Sequence, residues 1–96
     1  MTSLTIIGRR WFQKSYGNTY NTAQIIVDGE TVEKTPRQYG YGDHYLTIAA
    51  QALERRGLLT LRHYDNGSFE PLWQWAEANG VKFTYSPIDV PREKAL

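Results

Sequence analysis

The chain has no cysteine and a single methionine among its 96 residues. A disulfide framework, a thiolate zinc site and a cysteine nucleophile are therefore excluded. No apolar run approaches the roughly 20 residues that a helix needs to cross a bilayer, so no membrane partner is expected. Neither sign of charge is in excess: 11 Lys plus Arg stand against 10 Asp plus Glu, a formal net charge of +1. General polyanion binders carry a marked basic surplus. Its absence speaks against that class and against a reader of sequence-specific duplex DNA. The first residues, Met1 to Thr5, lack the charged start and apolar core of a secretory leader. The expected location is the cytoplasm, with which the lack of cysteine agrees.

What the chain does have is aromatic rings. They make up 14% of the residues, with seven Tyr and three Trp, too many for a disordered segment. The length suits one domain, which should bury on the order of 60–65% of its unfolded surface. No internal repeat or low-complexity segment interrupts it.

Alternation predicts a strand over Leu4–Phe12. Leu4, Ile6, Gly8, Arg10 and Phe12 share one face, and Thr5, Ile7, Arg9 and Trp11 share the other. A second strand is expected over Tyr20–Asp28, rich in β-branched residues. Asp28-Gly29 is the clearest turn signal, because glycine accepts the positive φ of tight hairpins. A short polar strand, Thr31–Thr35, suits a sheet edge, and Pro36 stops it. Tyr45, Ile48, Ala49, Ala52 and Leu53 form one stripe of a helix. Asp43 is expected to cap that helix, which should run to about Arg56 and end at Gly57. Leu58–Tyr64 is compatible with a further short strand. Ser68 is expected to cap a second helix with Pro71 in its first turn and Leu72, Trp75, Ala76 and Asn79 on one stripe. Val81–Ser86 reads as the last strand. The expected fold is α+β: an antiparallel β-meander of roughly three to five strands, with two helices on one face, in the order β-β-β-α-(β)-α-β. Residues 1–86 would form the domain and 87–96 a polar tail.

Charge position says more than charge total. Met1–Val27 contains no acid, yet it holds Arg9, Arg10 and Lys14 interleaved with Trp11, Phe12, Tyr16 and Tyr20. Cations attract phosphate and flat rings stack on bases. The competing explanation is a half-buried strand whose rings serve the core. A second constellation is Arg37-Gln38-Tyr39-Gly40-Tyr41-Gly42-Asp43-His44. Its glycines let a backbone approach a ligand, Arg37 suits phosphate, and Tyr39 and Tyr41 can stack. A compact loop packed on the sheet is the alternative. The string differs from the RNA-contacting strand of RNA-recognition motifs at Gln38 and in its place before a helix.

His44 and His63 are the only histidines, and their spacing fits no familiar metal motif. No nucleophile elbow, phosphate-loop lysine or paired-carboxylate motif accompanies them. The expectation is a protein with no cofactor, no metal site and no catalytic residue. A small enzyme using His44 or His63 is the weakest alternative. Trp73 falls off the apolar stripe and is a candidate partner anchor, the alternative being that the C-terminal tail covers it.

The runs RRWFQKSYGNTY, VDGE and YGYGDHYLTIAAQALE, and the ending DVPREKAL, resemble a group of small proteins encoded by tailed bacteriophages. The resemblance implies expression in the cytoplasm of a bacterial host and brings no catalytic residue with it. Small accessory phage proteins often bind a host protein or sequester a host signal, so counter-defence is the class-level expectation. The ligand would be a nucleotide-derived small molecule or short nucleic acid, held by Arg9, Arg10, Trp11, Lys14, Tyr16, Arg37, Tyr39, Tyr41 and His44. The alternative partner is a host protein inhibited through the same surface. An uncovered edge strand or Trp73 would add a homodimer contact.

Overall fold

The computed structural model describes residues 1–96. Strands β1 (Ser3–Gln13) and β2 (Asn18–Val27) form an antiparallel hairpin. Its loop closes where the Gly17 amide donates to the Gln13 carbonyl at 2.8 Å. Strand β3 (Glu30–Lys34) follows across Asp28 and Gly29, whose φ angles are 51° and 86°. Two positive values in a two-residue loop make the mirror-image turn that matches strand twist. Asp28 also ties this turn to the start of the chain. Its Oδ1 accepts from the Thr2 amide at 2.7 Å, the Thr2 hydroxyl at 2.8 Å and the Ser3 amide at 2.9 Å. The backbone donors come first in drawing its carboxyl from the ordinary 3.8 down to about 2.

Past Pro36, the two-residue strand β4 (Gln38–Tyr39) pairs back onto β2. Helices α1 (His44–Arg55) and α2 (Leu72–Ala78) then lead to β5 (Lys82–Val90). The sheet has five strands in the order β3-β2-β1-β5, with β4 also on β2. It is mixed, not a purely antiparallel meander: β5 lies parallel to β1, from Ser3↔Lys82 to Trp11↔Val90. The hairpin fills only one side of β1. The two helices supply the long crossover that a parallel neighbour on the other side requires. β5 also runs beyond Ser86. Lys82 donates its amide inward to Thr2 at 2.9 Å, so alternation turns the backbone of Pro87 to the free edge. A residue without an amide proton costs no ladder bond there.

Both helices end as the glycines suggest. Leu58 donates to Leu53 and Gly57 to Glu54 around Gly57, and Val81 donates to Ala76 and Gly80 to Glu77 around Gly80. These are paired closures around a left-handed residue. The starts differ from expectation. Asp43 precedes α1 but makes no side-chain cap bond. Ser68 bonds Asn66 instead of capping α2, which Pro71 begins. Leu58–Tyr64 forms no strand beyond an isolated bridge, His63↔Phe69. Leu59 and Leu61 plug into the core while the Glu54 and Glu70 carboxylates accept the Leu61 and Arg62 amides.

One face of the sheet carries the core. Leu4 and Ile6 of β1 and Ala23 and Ile25 of β2 meet Tyr45, Ile48 and Leu53 of α1 and Leu72 and Ala76 of α2 in a cluster of 15 buried residues. The Tyr45 ring lies directly on Gly8, where any β-carbon would collide with it. No helix is long and apolar enough to cross a membrane.

Candidate functional site

The opposite face of the sheet carries no helix. Strand alternation places Thr5, Ile7, Arg9 and Trp11 of β1 there, opposite Ile26, Gln24, Thr22 and Tyr20 of β2. Across from Tyr20 lies Tyr39 of β4. The rings form a row. Trp11 stacks on Tyr20 with centroids 5.9 Å apart, Tyr20 meets Tyr39 edge-on at 6.0 Å, and Tyr39 meets Tyr41 edge-on at 5.3 Å. All these separations fall in the favourable range for aromatic pairs. The Tyr39 and Tyr41 phenols share a hydrogen bond of 2.6 Å. That bond is the first cause pushing the Tyr39 phenol above its ordinary value of 10.0, and it stays neutral around pH 7.

The loop that delivers this row is held from beneath. Buried Asn21 of β2 donates Nδ2 to the Gly40 carbonyl at 2.7 Å, and the Gly40 amide donates to Thr19 at 3.0 Å. The His44 ring lies against Gly40 so closely that a β-carbon there would strike it. Gly40 thus lets the loop sit on the sheet, and the tyrosines on either side of it point to the open face.

Cations border the row unevenly. Arg37 sets its guanidinium 5.2 Å from the centre of the Tyr20 ring, a cation–π distance. It also pairs with Glu93 of the C-terminal 3-10 turn, Glu93–Ala95. Arg9 lies on the same face and donates to Gln24 at 3.0 Å. Arg10 does not join them. It projects to the helix side, where it pairs with Asp89 at 2.8 Å and donates to the Gly42 carbonyl at 3.2 Å, clamping β1, β5 and the loop together. Lys14 and Tyr16 stand at the hairpin tip, Tyr16 76% exposed, next to Gly17, whose carbonyl accepts from Tyr41. Of the residues expected from sequence, the structure brings together Trp11, Arg37, Tyr39, Tyr41 and Arg9. It places Lys14 and Tyr16 at the rim. It assigns Arg10 to a clamp and His44 to the support of the loop.

Trp73 is 57% exposed and lies on the helix side. It borders an apolar groove of about 650 Å³ with Leu46, Phe69, Leu72, Phe83 and Tyr85 among its walls. His63 pairs with Glu54 at 2.8 Å and lies 5.6 Å from the Phe69 ring. No group of three His, Asp or Glu side chains converges on one point.

Sequence reasoning noted Tyr20 among the interleaved rings without naming it as a ligand contact, and left Arg92, Glu93 and Lys94 out of the site. Tyr20 was detectable by register, since it faces Trp11 across the hairpin. The C-terminal trio carried no local signal, because only the path of β5 brings it to this face. Comparison with protein-family models, curated proteins and solved structures finds no match.

Proposed function

We propose that the chain is a non-enzymatic binding protein whose helix-free face takes a nucleotide or a short single-stranded nucleic acid. The supporting observation is the Trp11–Tyr20–Tyr39–Tyr41 row with Arg37 fixed over one of its rings. Ring faces and edges beside cations are the combination that single-stranded nucleic acids use, and each stacked base is worth about 1–3 kcal/mol. The near-neutral total charge suits a small ligand better than a long polyanion. The resemblance to phage-encoded proteins adds a role for this binding: sequestering a host signal during infection of a bacterium, in its cytoplasm.

Titration with mononucleotides, cyclic nucleotides and short oligonucleotides tests the reading. A raised melting temperature that Trp11→Ala or Tyr39→Ala abolishes, and that added salt diminishes, is the expected outcome. A melting temperature unmoved by all three ligand classes would reject it.

A second reading has its own observation. Trp73 and the apolar groove beside it have the composition of a protein-binding anchor, which favours a host-protein inhibitor. Trp73→Ala should then abolish capture of the host protein while Trp11→Ala spares it.

A further inference from the structure

The chain after β5 crosses the open face. β5 occupies the sheet edge beside β1, and Arg37 precedes β4 on the far side of β2. The turn Glu93–Ala95 packs on β1, and its Glu93 reaches Arg37. The turn is closed by the Ala95 amide on Arg92 at 3.0 Å and the Leu96 amide on Glu93 at 3.1 Å. Thr22 lies on the open face between Tyr20 and Gln24, opposite Arg9 of β1, and is 5% exposed with no partner for its hydroxyl.

Beside the turn lies a shallow, open cleft lined by Arg37, Arg92, Glu93 and Lys94 and by no apolar residue. Three cations therefore face one carboxylate. From this geometry we infer that the cleft is the seat of a phosphate group, and that Glu93 occupies it in the free protein as a displaceable internal carboxylate. The inference rests on the nucleotide reading only for the ring that would lie beside the phosphate.

Three features support it. Arg37 is already oriented, because Tyr20 holds its guanidinium from one side. A guanidinium binds phosphate through paired charge-assisted bonds, with Arg92 and Lys94 at hand for the remaining charge. The pair to be broken is exposed, its side chains 50% and 52% accessible, and such pairs hold weakly. A phosphate seated on Arg37 would place an attached base along the row towards Trp11 or Tyr39.

Calorimetric titration of the full chain separates the seat from the row, using inorganic pyrophosphate and adenosine diphosphate. Glu93→Gln should tighten pyrophosphate binding about two- to fivefold, the worth of an exposed ion pair. Arg37→Gln should weaken it about tenfold or more, as expected for losing charged hydrogen bonds. Lys94→Gln should give a smaller loss, and it removes no hydrogen bond or ion pair within the fold. Trp11→Ala should spare pyrophosphate and weaken the nucleotide. If pyrophosphate does not bind even to Glu93→Gln, or if neither the Glu93 nor the Arg37 variant changes its affinity, the seat is refuted. Nucleotide binding lost on Trp11→Ala in that same case would leave the aromatic face standing. The reverse pattern, with a responsive seat and a nucleotide indifferent to Trp11, would sustain the seat and sink the stacking.

Discussion

The two faces of one sheet differ in what they present: one is buried under the helices, and the other carries an exposed aromatic row. On the covered face, β1 and β2 present Leu4, Ile6, Ala23 and Ile25, all without solvent exposure, to the helices. On the open face, the same two strands present Thr5, Arg9, Trp11, Tyr20 and Gln24. Adjacent residues such as Arg9 and Arg10, or Trp11 and Phe12, go to opposite sides because the side-chain period of a strand is two. Core packing and the proposed recognition can therefore be altered separately in one segment. The aromatic row is the exception that teaches most, since the rings proposed to bind also pack on one another and so contribute to stability.

The contrast can be broken most severely from the covered side. Ile25→Ala should cost about 2–5 kcal/mol, the range for truncating a large core residue, and denaturant unfolding measures it. Gly8→Ala drives a methyl into the Tyr45 ring, and overpacking of this kind costs about 1–3 kcal/mol. On the open side Trp11→Ala should lose the stack on Tyr20, about 0.5–1.5 kcal/mol, together with the apolar area of a partly exposed ring, a smaller total than for Ile25→Ala, while removing the proposed ligand binding. A Trp11 variant as unstable as the Ile25 variant would erase the distinction between the faces. The smallest effect belongs to Asp28, which lies on neither face. Its carboxyl is lowered in the folded state, so its contribution to stability is complete above its unfolded value of 3.8 and is lost as pH falls towards about 2. The melting temperature of Asp28→Asn should accordingly show a weaker dependence on pH between about 4 and 2 than that of the parent chain.

Much of the covered face was legible in the sequence, because its signals are local. The Asp28-Gly29 turn, the apolar stripe of α1 and the stops at Gly57 and Gly80 each lie within a few residues of what they determine. The pairing of β5 with β1 was not legible. It joins residues such as Thr5 and Thr84, whose hydroxyls meet at 2.8 Å, across most of the chain, and no local pattern encodes that neighbour. Two readings failed on competition for partners. Ser68 was free to cap a helix but found Asn66 closer, and Leu59 and Leu61 were drawn into the core while the Glu54 and Glu70 carboxylates took up the amides of Leu61 and Arg62. The candidate site was legible in its parts, Trp11 and Arg37 with the tyrosine loop. Its assembly was hidden, because it needs the register of β1 on β2 and the return of the C-terminal turn.

Amide chemical-shift mapping during titration with a short oligonucleotide or adenosine diphosphate tests the role of the open face most directly. The account predicts perturbations concentrated at Arg9, Trp11, Tyr20, Arg37, Tyr39 and the turn at Glu93. Perturbations centred instead on Leu46, Phe69 and Trp73, or none at saturating ligand, would contradict it.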